Sequence, residues 1–292
     1  MNNNKHLNDV VKGRLLIVAA SVLWGTSGVV QSYAPIDASP AVIGAFRIFI
    51  AGLFITSFSF FTEQSKSFKD FFTPALIFTG LCQAFFQFGY FSAIKITGVA
   101  VGVMVAMGSS PVFAGILGVL FEREKLGARW FVSTLLAVSG LFLLMKTTNG
   151  SVQIETFGIL MALLAGFSYS VFTLVVKRLI KTRNQDRVTG MSCLIGSVFL
   201  MIFFFVYPIG WIFSFQGIGV ILYLGVISAG VAYLFYGRGL KFVKVSAVGT
   251  LTLAEPLTAA FLGVFFFGRT LDHYFGYGDV FNFFIPDGCY FK

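Results

Sequence analysis

Apolar runs of about twenty residues follow one another through the chain with only short polar gaps between them. A helix needs about 20 apolar residues to cross the hydrocarbon layer of a bilayer. In lipid every backbone N–H and C=O must be satisfied within the segment, so runs of this length read as helices. Bounded by charge, Pro or Gly, nine of them stand at 15–34, 41–61, 71–94, 97–121, 128–145, 156–176, 189–207, 217–237 and 245–267, with 268–292 an atypical tenth. Of the 292 residues 57% are hydrophobic and 11% charged, against roughly a quarter charged in a soluble domain. No stretch is left for a soluble domain, and an ordinary cytosolic enzyme is excluded. The first run is too long for a signal-peptide core and lacks a small-residue cleavage site, so it is expected to remain as a span.

The formal net charge is +9, but the basic residues fall in the short gaps rather than on one soluble face, which indicates topology and not nucleic-acid binding. With the N-terminus inside, the cytoplasmic gaps hold Lys5, Lys12, Arg14, Lys66, Lys69, Arg123, Lys125, Arg129, Lys177, Arg178, Lys181, Arg183, Arg187, Arg238, Lys241 and Lys244. The outside gaps hold only Lys95, Lys146 and Arg269. This bias orients the chain. Trp130 and Trp211 fall at span ends, as interfacial aromatics do.

The two halves repeat. Pro111-Val-Phe-Ala-Gly-Ile-Leu-Gly-Val-Leu-Phe121 corresponds to Pro256-Leu-Thr-Ala-Ala-Phe-Leu-Gly-Val-Phe-Phe266 at an offset of 145, and Lys95 pairs with Lys241 at 146. A five-span unit is odd, so the second copy enters the membrane from the opposite side. Lys95 lies outside and its mate inside, in agreement. Inverted repeats of this kind build secondary transporters, with the substrate site near the midplane.

Leu23-Trp24-Gly25-Thr26-Ser27, the Ser110-Pro111 segment closing on Glu122-Arg123-Glu124-Lys125-Leu126, and Leu253-Ala254-Glu255-Pro256 with Gly263 resemble the ten-span drug/metabolite transporter superfamily and its EamA branch. The resemblance covers about 15–271. It implies a ten-helix basket with cytoplasmic termini and export of small metabolites or drugs.

Charge at mid-span costs about 2.5 to 3.5 kcal/mol on insertion scales and should face protein or water. Two residues qualify. Glu255 precedes Pro256, whose missing N–H frees a carbonyl one turn back; the pair offers a site for a proton or a cationic group, or else a structural hydrogen bond between helices. Arg47, about seven residues from the outer end of its span, either holds a substrate carboxylate or an ion pair with Glu255, or snorkels structurally. Gln83, Gln87 and Tyr90 follow i, i+4, i+7 spacing and share a face. With Trp24, Tyr169, Tyr233 and Tyr236 they are candidates for an aromatic-walled cavity, beside the bland alternative of packing. Pro111 and Pro256 are candidate helix breaks. Gly98 and Gly102 suit close helix approach, and Asn149-Gly150-Ser151 matches a glycosylation acceptor.

Other chemistry has no residues to carry it. His6 and His273 are the two histidines and build no zinc motif, there is no phosphate loop, and Gly166-Phe-Ser-Tyr-Ser170 lacks the second Gly of a hydrolase elbow. Cys82, Cys193 and Cys289 match no metal or disulfide spacing.

The tail departs from the repeat. After Gly268 a charged turn and an apolar span are due, but Asp279, Asn282, Pro286 and Asp287 interrupt the stretch. Reading permitted codons one base later converts Arg269 to Asn282 into Glu-Arg-Leu-Thr-Ile-Ile-Ser-Gly-Met-Gly-Met-Phe-Leu-Ile, which restores both. A reading-frame slip near Gly268 is one explanation.

The sequence therefore predicts an all-α integral membrane protein, ten transmembrane helices in two inverted five-helix repeats. It divides into a cytoplasmic N-terminus (1–14), repeat one (15–145), repeat two (156–271, four spans) and the atypical tail (272–292). The expected function is secondary active export of small metabolites or drugs by alternating access across the inner (plasma) membrane, coupled to protons or to exchange. A channel or facilitator, or an inactive frame-shifted transporter, is the alternative. No enzyme activity, cofactor, metal or nucleic acid is called for; the partners are a small-molecule substrate, the bilayer and, as an open option, a second copy in a homodimer.

Overall fold

The computed structural model describes residues 2–62, 73–146 and 155–267. Among them the chain is helical: α1 (Asn2–Gly25), α2 (Ser27–Gln31), α3 (Pro40–Thr62), α4 (Pro74–Thr97), α5 (Val99–Glu122), α6 (Ala128–Lys146), α7 (Thr156–Leu179), α8 (Gln185–Leu200), α9 (Phe215–Leu222), a π-helical segment (Tyr223–Val231), α10 (Ala232–Leu240), α11 (Val245–Leu251) and α12 (Ala254–Phe267). Two 3-10 turns, Met201–Phe205 and Gly210–Phe213, join α8 to α9. Eight helical stretches among the described residues are long and apolar enough to span a bilayer, and Ala128–Leu141 is a shorter ninth. The glycosylation motif, Cys289 and the tail after Phe267 lie outside the described residues.

The side chains are sorted as lipid requires. Phe61, Leu120, Leu135, Leu136, Phe261 and Phe265 point outward. The interior takes small and polar residues among its aliphatics, including Ser21, Thr79, Ser170, Thr189, Ser192 and Ser228. Their hydroxyls are satisfied, most of them by their own helix: Ser21 Oγ donates to Ile17 O and Ser192 Oγ to Val188 O. With tails as apolar as leucine outside, such small residues are what lets helices approach.

Helix packing follows a two-fold pattern between the halves. α4 packs on α7 as α10 packs on α1, and α5 packs on α7 as α12 packs on α1, while α3 meets α8 across the middle. In both pairs a glycine lets the helices approach closely, though not at equivalent positions. A Cβ on Gly25 would come within 2.7 Å of the Glu255 carbonyl oxygen, and one on Gly166 within 2.6 Å of the Ala106 carbonyl oxygen.

Several boundaries differ from the sequence expectation. The first helix begins at Asn2 rather than near residue 15, because its polar opening turns continue the helix and dock Gly13 against Phe242 and Gly239. Of the two candidate breaks, α5 runs unbroken through Pro111. There the carbonyl that proline leaves free, Met107 O, accepts the Ser110 hydroxyl at 3.0 Å. The ninth span breaks at Thr252–Leu253, and Thr252 O, the carbonyl one turn before Pro256, accepts Glu255's own N–H at 3.0 Å. The freed carbonyl expected beside Glu255 is therefore occupied. Trp211 is buried rather than interfacial.

Candidate functional site

Aromatic rings from four spans meet at the centre. Trp24 of α1 lies 5.1 Å from Tyr233 and 5.4 Å from Tyr236 of α10. Phe172 of α7 stacks on Tyr236 at 6.4 Å, and Tyr169 of the same helix lies 6.4 Å from Tyr236. Phe86 of α4 stands 5.7 Å from both Tyr90 and Tyr169. Phe172 and Phe86 escape the sequence reading, because a phenylalanine inside an apolar run carries no local mark. The candidates that polarity did mark are related by the repeat: the offsets that join Pro111 to Pro256 and Lys95 to Lys241 also join Trp24 to Tyr169 and Tyr90 to Tyr236.

The polar face of α4 turns inward. Gln83 and Gln87 are buried, and Gln83 Nε2 donates to Tyr233 Oη at 2.6 Å. Tyr236 Oη and Thr173 Oγ1 share a hydrogen bond of 2.6 Å. Gln83 and Tyr233 thus satisfy each other. Trp24 Nε1, by contrast, is buried with no hydrogen-bond partner among the described residues.

Arg47 of α3 and Glu255 of α12 lie within electrostatic reach of the central tyrosines. Both are half-buried. They act on one another electrostatically, and Tyr90 lies in the field of both, yet no ion pair within 4.0 Å joins them. Arg47 Nε is buried without a hydrogen-bond partner among the described residues. Glu255 sits in the first turn of α12 directly after the helix break, at the point where Gly25 lets α1 pass. A helix interrupted at mid-membrane beside an ionisable group is the way transporters build binding sites. The space can meet a ligand with ring surfaces, an indole N–H and one charge of each sign. No group of three or more metal-ligating side chains occurs among the described residues.

At the end of the bundle that carries the basic gaps, the two halves are tied together. Glu124 accepts from Val245 N at 2.7 Å, Ser246 N at 3.1 Å and Ser246 Oγ at 2.6 Å, capping α11 from the other repeat. Trp130 Nε1 donates to Ser246 O at 2.9 Å. Glu122 takes Arg178 at 2.8 Å and Lys181 at 2.5 Å; within the second half, Asp186 binds Arg238 through both oxygens. On the opposite side of the site, the π-helical segment is linked to the end of α1 and the residue that follows it: Ser228 Oγ donates to Leu23 O at 3.1 Å and Tyr223 Oη to Thr26 Oγ1 at 3.2 Å.

A model of the EamA-like transporter family matches the chain twice, at residues 11–146 and 156–291. An uncharacterized transporter of Bacillus subtilis (strain 168), YwfM, is 37% identical over 257 residues, 88% of this chain and 86% of that protein. An uncharacterized transporter of Archaeoglobus fulgidus is 30% identical, covering 89% of each chain. The threonine/homoserine exporter RhtA of Salmonella typhimurium is 27% identical over 88% of this chain and 83% of its own length. A solved crystal structure superposes with a TM-score of 0.76 at 20% identity, over 90% of this chain and 91% of that one.

Proposed function

Since the chain belongs to the EamA-like transporter family, a family of multi-pass membrane transporters and not of enzymes, we propose that it exports a small zwitterionic metabolite of amino-acid type. Transport is by alternating access across the inner membrane, with the N-terminus in the cytoplasm. The observation that carries this reading is the pair Arg47 and Glu255, opposite charges within electrostatic reach of the central tyrosines and without an ion pair between them. Charges withdrawn from water are costly unless paired. A ligand with a carboxylate for Arg47 and an ammonium for Glu255 satisfies both. Threonine and homoserine, named for the Salmonella relative, carry these two groups.

Glu255 also supplies the coupling. Its carboxylate holds either the substrate ammonium or a proton, so release of one favours binding of the other, which yields proton–substrate exchange. Purified protein in liposomes is expected to give saturable counterflow of a labelled amino acid, and Glu255→Gln to abolish it or remove its dependence on a pH gradient. Arg47→Gln should raise the half-saturating concentration about tenfold or more, the scale of a charge-assisted bond. Ohmic single-channel currents would decide for a channel. Wild-type counterflow with unchanged pH dependence in Glu255→Gln would remove that residue from the mechanism.

A further inference from the structure

The basic end of the bundle contains a hollow of about 390 Å³ at the C-terminal end of α7, beside the turn that follows α10. Lys177, Lys181 and Arg183 line it from α7 and the α7–α8 turn, and Lys241 from the α10–α11 turn, with Ile180 as its apolar part. Among the described residues no carboxylate lines it. The lysines leave a surplus of positive charge there. Lys177 Nζ donates to the carbonyl oxygens of Leu240 and Val243, neutral groups that leave its charge in place, and Lys181 shares Glu122 with Arg178. Lys241 is exposed and makes no hydrogen bond or ion pair with a described residue.

The positive-inside tendency places basic residues in these gaps, but it does not make four of them converge on one concavity from turns about sixty residues apart. Like charges gathered around a hollow repel one another, and an anion between them relieves that repulsion. The spans that bound the hollow end at Leu179 and Leu240, so it lies at headgroup depth, with Ile180, buried in the protein core, as its apolar wall. Basic pockets between spans on the cytoplasmic side are suited to anionic headgroups.

We propose that this hollow binds the phosphate of an anionic phospholipid from the adjoining leaflet. That this leaflet is the cytoplasmic one rests on the orientation given above; binding in detergent is independent of orientation and of transport, so the two can fail separately.

Full-length protein in a neutral detergent is titrated with phosphatidylglycerol, phosphatidylcholine or inorganic phosphate, and its thermal unfolding midpoint is followed. Phosphatidylglycerol is expected to raise the midpoint saturably by a few degrees, as a ligand of the folded state does, and phosphatidylcholine to leave it unchanged. Lys241→Gln, at an exposed position with no bond to lose, should cut the shift by about half or more without altering the lipid-free midpoint. Lys12→Gln, elsewhere at the same end, should keep the full shift. An unchanged shift in Lys241→Gln, an equal loss in Lys12→Gln, or an equal effect of phosphatidylcholine would overturn the proposal. Inorganic phosphate reproducing the whole shift would overturn the lipid as the source and leave a soluble phosphate in its place.

Discussion

At the scale of single residues, what separates structure from function in the central space is whether a polar group already has a partner. Gln83 and Tyr233 complete each other. Gln83→Leu would leave the tyrosine hydroxyl buried and unbonded, at a cost of about 1–3 kcal/mol, and a lowered thermal midpoint in detergent would register it. Trp24 is the contrary case, with a packed ring and an unpartnered Nε1. Trp24→Phe removes that donor and keeps an aromatic ring, so it is expected to weaken substrate affinity several-fold while shifting the midpoint far less than Gln83→Leu. Affinity equal to wild type would exclude the indole N–H as a contact. The spacing of Gln83, Gln87 and Tyr90 made their common face legible in the sequence, since polar residues stand out in an apolar run. Phe86 and Phe172 had no such contrast.

Among the elements, hydropathy located the spans because it measures transfer into lipid, but it is blind to the hydrogen-bond ladder within a span. It therefore could not distinguish α5, continuous through Pro111, from the ninth span, broken at Thr252–Leu253. Nor could it mark the π-helical turn of Tyr223–Val231, a geometry frequent at functional sites. The ties across the basic end belong to this scale as well. Glu124 caps a helix, α11, whose own preceding residue Lys244 provides no side-chain cap. Glu124→Ala should cost about 0.5–2 kcal/mol and loosen this end. A cysteine placed at the buried Leu117 is then expected to react faster with a polar thiol reagent in inside-out vesicles; an unaltered rate would show that the cap does not hold the end closed.

On the scale of the molecule, the inverted repeat makes a topological prediction from two residues alone. Lys95 and Lys241, mates at an offset of 146, should be labelled from opposite sides when each is changed to cysteine; labelling from one side would break the inverted arrangement. The second family match extends to residue 291, so the atypical tail stands where the last span is due. A measured intact mass of protein expressed from the resequenced gene would separate the aspartate-bearing tail from the frame-shifted one. The cap on α11 has a consequence for assembly. Because the carboxylate that completes a helix of the second half is held by the first, the second half is not finished by itself. A chain cut in the 147–154 connection should regain its fold only when both fragments are made together, and the fragment carrying α11 should be degraded when made alone.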